Sequence, residues 1–412
     1  MSGPVGIDVN YWTLDPKHAE AEASLDLRSA GLWVAEAGWR KAAGVPAGAK
    51  LVLDLQNEQV TRLRDIEVKA AGLDGRFAVA LEPDTGRIDR VDVQRLVIAD
   101  DDVSGSVMRR REGGWHIDLH GPTLDLSHWI NDFRKSSPRQ SSITDGPLQI
   151  DARLGRVVVG PQREVRDVAA RLSREGADWR AVQIEARFPN GRRLTLNSAA
   201  QAGGRNLTFR SDDLGSALSL LDITDNIVGG QVTVTGQTVD KAGKEAVVGH
   251  IEGADYSLVR APVFARILSL PSFSGAGSML AGSGIPFSTL RGDFAYGEDR
   301  LVLDNLVAYG GAIGVTGNGV ADLGRDRLDL QGTIVPAYAL NSILGVVPVI
   351  GPLLLGGEGQ GLFAANYRVA GSAGDPQVSV NPLSAFAPGF LRRLFQPNFG
   401  MAPPIEQSLG GP

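Results

Sequence analysis

The sequence predicts a mainly β protein, an elongated and curled antiparallel sheet with a few short helices. Apolar and polar residues alternate in short runs along the 412 residues, which is the pattern of strands with one apolar and one wet face. Fifty-two glycines fall between these runs without a collagen period and indicate turns. Amphipathic helical patterns are few.

The alternating runs define a predicted apolar face. Their intervening neighbours, such as Gln183 and Glu185 or Thr233 and Thr235, are mostly polar. The residues expected to line the face are Leu51, Leu53, Leu55, Phe77, Val79, Leu81, Val182, Ile184, Leu194, Leu196, Leu207, Phe209, Val232, Val234, Leu301, Leu303, Ile313, Val315, Leu328 and Leu330.

Short strands joined by tight turns favour antiparallel pairing, because a parallel pair needs a crossover of a dozen or more residues. The helical candidates span 127–134, 211–221 with Ser211 as N-cap, 258–268 and 388–395. They are too few to cover a long sheet. Its apolar face therefore either folds over on itself as a sandwich or curls into a groove filled by something apolar.

Two short repeats suggest a loosely repetitive array. Arg64-Asp65-Ile66 and Arg166-Asp167-Val168 each precede an aromatic strand residue by eleven positions, and the glycine-bounded run at 229–236 resembles that at 310–317. Chance similarity among hairpins is the alternative. We divide the chain into a repetitive β segment (1–200), a second β segment (201–395) containing an apolar insert (331–357), and a disordered tail (396–412).

The insert carries no charged residue, but Pro336, Pro348 and Pro352 argue against a transmembrane helix. It is interpreted either as a membrane-dipping or groove-capping element or as a buried core loop. The 388–395 helix places two arginines beside its apolar residues and suits either an anionic membrane surface or docking on the sheet end. The expected membrane-proximal residues are Ile343, Leu344, Val346, Val347, Ile350, Leu353, Leu354, Phe390, Leu391, Leu394 and Phe395.

Several function classes find little support. A net charge of −6 without a basic run argues against nucleic-acid binding. The absence of cysteine removes disulfides and thiolate chemistry. His116, Asp118 and His120 share one side of a strand and have metal-ligand types, but they also suit a wet face opposite apolar neighbours. We therefore predict no enzyme activity, no metal and no cofactor.

The N-terminus lacks the charged and apolar regions of a secretory signal. The chain is then either cytoplasmic or a fragment of a longer exported protein, and we favour the fragment.

Several stretches resemble the AsmA-like family of bacterial envelope proteins, in particular its long YhdP-like and TamB-like members. The resemblance rests on Gly38-Trp39-Arg40-Lys41 with Gly44-Val45-Pro46-Ala47, Ala99-Asp100-Asp101, Gly105, Gly114-Trp115, Leu124-Asp125-Leu126-Ser127, Val347-Pro348-Val349-Ile350-Gly351 and Gly371-Ser372-Ala373-Gly374-Asp375-Pro376.

The resemblance implies a repeating β-groove (β-taco) in the periplasm of a Gram-negative cell. Such a groove is lined by hydrophobic residues and carries phospholipids between the inner and outer membranes. It also implies an N-terminal inner-membrane anchor, which these residues do not include, so they would form the C-terminal portion. The alternative is a scaffold or assembly factor that pairs a sheet edge with an outer-membrane protein.

Overall fold

A computed structural model describes residues 1–35, 37–130, 146–176, 178–201, 204–241, 244–259, 284–336, 365–372 and 376–381. These residues form twenty-four strands and one helix of more than one turn, so the mainly β prediction is confirmed. Twenty-two of the strands belong to one sheet, and the remaining two form a small hairpin. The chain divides into two compact units, Met1–Ser198 and Ala199–Pro412.

Unit 1 contains the first thirteen strands and most of the fourteenth. The strands are β1 Gly6–Asp15, β2 His18–Asp26, β3 Leu32–Val34, β4 Trp39–Lys41, β5 Ala47–Gln56, β6 Gln59–Ala70, β7 Leu73–Leu81, β8 Ile88–Ile98, β9 Asp101–Arg109, β10 Trp115–Asp125, β11 Leu148–Gly160, β12 Arg163–Glu175, β13 Asp178–Arg187 and β14 Arg193–Gln201.

Each strand of unit 1 from β1 to β10 pairs antiparallel with the next strand of the large sheet, while β3 and β4 form the separate hairpin. The β10–β11 pair is parallel, and antiparallel pairing resumes through β12 and β13. The β10–β11 connection includes a helical turn at 127–130, within one predicted helix. Antiparallel pairing is thus confirmed as the dominant arrangement, with one crossover in this unit.

Unit 2 is also a β-meander. Its elements are β15 Gly204–Ser211, α1 Leu214–Leu220, β16 Ile227–Lys241, β17 Lys244–Leu258, β18 Ile285–Phe287, β19 Thr289–Gly297, β20 Arg300–Tyr309, β21 Ile313–Asp322, β22 Arg327–Pro336, β23 Ala365–Gly371 and β24 Pro376–Asn381. The strands pair antiparallel, and both β18 and β19 pair with β17.

Helix α1 begins later than predicted. Asp213 is its N-cap, and the Asp213 carboxylate accepts a hydrogen bond of 2.9 Å from the backbone N–H of Ser216. The prediction of Ser211 as N-cap is wrong, because Ser211 ends β15 and its hydroxyl bonds the backbone of Asp213. The predicted 258–268 helix starts at a residue that ends β17, and its other described residue, Val259, is not helical. Its remainder and the 388–395 helix lie outside the described residues.

The two Arg-Asp repeats mark β-bulges. Asp65 and Asp167 have left-handed φ values of 51° and 50°, and the strand register shifts beside both of them. On β6, Leu63 lies opposite Val79 and Ile66 lies opposite Phe77, although Leu63 and Ile66 are three positions apart. A bulge adds one residue to one strand of a pair. The extra residue therefore keeps both apolar side chains on one face.

We expect Asp65→Val to lower the free energy of unfolding by about 1–2 kcal/mol, because a β-branched residue is poorly suited to a left-handed backbone. Asp65→Gly, the matched control, loses the same carboxylate but accepts the conformation and should be close to neutral. Chemical denaturation of both variants measures the difference. Equal destabilisation by the two substitutions would show that the carboxylate, and not the backbone, matters at this position.

Unit 2 has a closed hydrophobic core at one end of its strands. Ile285 and Ile334 are fully buried, and the rings of Tyr256 and Phe287 stack with centroids 5.1 Å apart. Burial raises the pKa of Tyr256. The core also includes Leu214, Val232, Ala308, Ile313, Val315 and Ala365. Leu214 comes from α1, so the short helix forms part of the cover at this end.

Candidate functional site: an apolar sheet face

The strand registers of unit 1 align one unbroken apolar row across eleven strands. Neighbouring members are Cα partners, so their side chains point to the same face. Every member is apolar. The row, from β1 to β13, is Tyr11, Ala21, Leu53, Leu63, Val79, Val91, Val107, Ile117, Ile150, Leu172 and Val182.

The side chains of this row are accessible. Tyr11 is 60% exposed, and from Leu53 to Val182 every member is half-buried; Ala21 is the one buried member. A sheet packed in a sandwich would bury such a row, because interior side chains interdigitate at high density. The row therefore presents apolar surface that another molecule can contact.

The opposite face of unit 1 is mainly polar, with several charged residues. The row displaced by one residue contains Trp12, Glu20, Asp54, Arg62, Ala80, Arg90, Met108, His116, Gln149, Ser173 and Ala181. Arg64 bridges Glu20 and Asp54 at 2.8 Å each, and the hydrogen bond to Asp54 raises the pKa of the Arg64 guanidinium. The two faces thus differ sharply in polarity.

Unit 2 has a corresponding row of nine strands in which glycines accommodate large neighbours. A Cβ placed on Gly249 would lie 2.7 Å from the ring of Phe294, and one on Gly236 would lie 3.6 Å from it. Phe294 therefore lies flat across two strands and fills the glycine positions. The row is Leu207, Gly236, Gly249, Phe294, Leu303, Gly319, Leu330, Val369 and Val378.

On the apolar face of unit 2, the side chains are buried at one end of the strands and half-buried at the other end. Three predicted lining residues, Val232, Ile313 and Val315, lie in the closed core, and Phe209 and Val234 pack against it. Towards the other strand ends, Leu207, Leu301, Leu303, Leu328 and Leu330 are half-buried. The predicted residues of this unit therefore share a face but differ in accessibility.

The other predicted lining residues of unit 1 are placed as follows. Leu51 and Leu55 face the same way as Leu53, and Phe77 is the Cα partner of Val93. Leu81 pairs with Ile88, Ile184 pairs with Ala170, Leu194 is buried and Leu196 is half-buried. All the predicted membrane-proximal residues, from Ile343 to Phe395, lie outside the described part of the chain.

The predicted lining residues include three of the eleven members of the unit 1 row, Leu53, Val79 and Val182, and sequence reasoning missed the other eight. Ala21 belongs to an Ala-Glu alternation in β2 that is as regular as the leucine alternation of β5, but alanine is a weak hydrophobic signal. Val91, Val107 and Ile150 lie in runs where charged residues, bulges or glycine interrupt the alternation. The signal that could have identified β2 as a two-faced strand is the strict alternation of alanine with glutamate, and not hydrophobicity alone.

The histidine cluster is accounted for by hydrogen bonds. His116 contacts Asp151 at 3.0 Å and His120 contacts Asp118 at 3.3 Å, all on the polar face. Among the residues that the structure describes, no group of three histidines or carboxylates could hold a metal ion.

Unit 2 also has a recess of about 740 Å³ lined mainly by polar side chains. Within it, His250 and Asn305 both bond the carboxylate of Asp293, at 2.8 and 3.1 Å. Tyr367 also lines the recess, where its hydroxyl donates to the carbonyl of Thr316 at 2.8 Å and burial raises its pKa to about 12. The contacts of Asp293 connect neighbouring strands, and the Tyr367 hydrogen bond connects β23 to β21 across β22, so these groups have a structural role.

Comparison with protein-family models, with curated proteins and with solved structures finds no match to this chain. The described residues include no helix with the length and apolarity needed to cross a bilayer. The accessible apolar row of unit 1 is therefore the feature from which a function can be inferred.

Proposed function

We propose that the apolar face binds the acyl chains of phospholipids and that the protein is a bridge-like lipid transfer protein without enzymatic activity. The observation that carries this proposal is the row of eleven strands in unit 1, apolar at every position and accessible along most of its length.

The energetic need for such a surface is large. The two acyl chains of a phospholipid carry about thirty methylenes at about 0.8 kcal/mol each, so exposing them to water costs on the order of 20 kcal/mol. With strands about 4.8 Å apart, ten spacings give a row of about 48 Å along the sheet. A continuous apolar strip lowers the barrier at each step, while the headgroup stays in water.

The composition of the rows suits movement more than tight retention. Leucine, valine and isoleucine supply nondirectional contacts, and no row member presents a charge to hold a headgroup. In unit 2, the flat packing of Phe294 over Gly249 and Gly236 makes the apolar surface smoother. A lipid would find similar sites at neighbouring positions, so it could move between them with small free-energy differences.

The cellular setting belongs to the same proposal. The resemblance to AsmA-like proteins supports a periplasmic location in a Gram-negative cell, and the chain would be part of an inner-membrane-anchored protein. Phospholipids and the inner and outer membranes would be its partners. The curled hydrophobic groove is the arrangement that would best shield the acyl chains.

Lipid analysis of the purified protein tests the proposal. We expect native mass spectrometry to detect phospholipid bound to the chain, and we expect delipidated protein to accelerate transfer of a fluorescent phospholipid between donor and acceptor vesicles. A folded preparation that contains no lipid and leaves vesicle transfer at the background rate would contradict the proposal.

A further inference from the structure

Two arginine–tryptophan pairs border the apolar face of unit 1 at one end of its strands. The Cζ atom of Arg109 lies 5.2 Å from the ring centroid of Trp115, and that of Arg174 lies 5.7 Å from the ring centroid of Trp179. The residues of each pair are Cα partners on neighbouring strands. Leu148 lies between the two pairs, opposite both Trp115 and Arg174. These five residues form one border row across β9–β13.

The border row runs beside the apolar row. Arg109 lies two positions after Val107 on β9, and Trp115 lies two positions before Ile117 on β10, so their side chains point to the apolar face. Two residues of a strand cover about 7 Å. Arg109 is exposed, and Trp115 and Arg174 are half-buried. Positive charges and amphipathic tryptophan rings therefore lie within a few ångströms of the accessible apolar surface.

No carboxylate neutralises the charges of these two arginines. Neither arginine forms an ion pair within the part of the chain that the structure describes, and neither does Asp89, which lies on the same face two positions before Val91. Arg174 donates from Nη2 to the carbonyl of Gly146 at a long 3.5 Å, and its buried Nε has no hydrogen-bond partner. A partly buried guanidinium without an anion is costly, so an anion bound to it would stabilise this arrangement.

The stacked arginines differ from the arginines of the opposite face. There, Arg64 contacts Asp54 at 2.8 Å and Arg90 contacts Asp92 at 2.6 Å, so their charges are already paired. A tryptophan ring contacts only the flat side of a guanidinium, and the N–H groups at its rim stay available to oxygen atoms. Phosphate fits this geometry, because a guanidinium can donate two parallel hydrogen bonds to it.

We propose that Arg109 and Arg174 bind the phosphate groups of phospholipids whose acyl chains lie on the apolar row. The inference rests on the proposed lipid binding, and it adds recognition of the headgroup, which the apolar row does not supply. Three strand spacings, about 14 Å, separate the two arginines, and each stacks on a different tryptophan. The two pairs are therefore separate sites for one phosphate each. A lipid with the same acyl chains but no phosphate contacts the apolar row alone and binds more weakly.

Two lipids that differ only in the headgroup test this inference on the full chain. The probes are a phosphatidylglycerol and the diacylglycerol with the same acyl chains, titrated separately in native mass spectrometry. We expect the unmodified chain to bind phosphatidylglycerol about tenfold more tightly. Arg109→Gln combined with Arg174→Gln should remove this preference and leave diacylglycerol binding unchanged. The control, Arg62→Gln combined with Arg153→Gln, removes two exposed arginines of the opposite face and should change neither affinity.

The single variant Arg109→Gln guards against misfolding, because Arg109 is exposed at the end of β9. It should keep the circular dichroism spectrum of the unmodified chain and weaken one of the two phosphatidylglycerol sites. Equal affinity of the unmodified chain for both lipids would overturn the headgroup inference and leave the proposed lipid binding intact. Binding of neither lipid would contradict the proposed function itself. Inorganic phosphate that abolishes the preference for phosphatidylglycerol at equimolar concentration would also overturn the inference, because free phosphate would then be the ligand.

Discussion

Replacing Val79, Val91 and Val107 with threonine is expected to weaken lipid binding by about a hundredfold while the sheet stays folded. The three valines are consecutive members of the unit 1 row. Threonine has nearly the same shape and is also favoured in strands. Each hydroxyl would face acyl chains that offer no hydrogen bond, at about 1–3 kcal/mol per group, so about 3 kcal/mol in total is a low estimate.

The control makes the same substitution at two valines on the other face. Val52 lies opposite Glu22 and Arg64, and Val97 lies opposite Asp74 and Asp102. The pair Val52→Thr and Val97→Thr should leave the bound phospholipid per chain unchanged in native mass spectrometry. Equal loss of lipid in both sets of variants would mean that the apolar face is not the binding surface.

An aspartate at Val315 is expected to unfold unit 2, whereas an aspartate at Leu303 is expected to be tolerated. Val315 is 8% exposed within the closed core, and a carboxylate there would be buried without a partner at a cost of several kcal/mol. Leu303 is half-buried in the open row, opposite Phe294 and Gly319, so its carboxylate can reach water.

Hydrogen exchange of unit 2 distinguishes the two variants. We expect Val315→Asp to lose protection across β16–β22, and Leu303→Asp to keep protection but bind less lipid. Leu303→Asn, which has nearly the same size without the charge, serves as the matched control and should have a smaller effect on lipid binding. A protected Val315→Asp variant would contradict the assignment of Val315 to a closed core.

The alternation at Leu51, Leu53 and Leu55 is enough to predict a two-faced strand, because side-chain direction in a strand depends only on local geometry. Alignment across strands depends on long-range pairing and on bulges. The shift at Asp65 brings Leu63 and Ile66 to one face, and a strict period of two would separate them. The sequence repeats the Arg-Asp motif, but the left-handed backbone that gives it meaning is visible only in the structure.

The local sequence pattern also could not predict which parts of the apolar face are closed and which are open. Val315 and Leu303 lie in equally regular apolar alternations, but Val315 contacts a core completed by Ile285, Phe287 and Leu214 from other elements. The parallel β10–β11 pair likewise depends on a crossover whose path the alternation does not encode. For α1, the apolar periodicity located the helix, while the choice between Ser211 and Asp213 as the cap depended on backbone geometry.

Site-specific photo-crosslinking along β9 tests most directly whether acyl chains lie on the apolar face. A photoreactive amino acid would replace Ser106, Val107 or Met108, one at a time, in protein carrying phospholipid. Val107 belongs to the apolar row, while Ser106 and Met108 point to the other face. We expect lipid adducts at position 107 and none at 106 or 108. Adducts of similar yield at all three positions, or at 106 and 108 alone, would contradict this expectation.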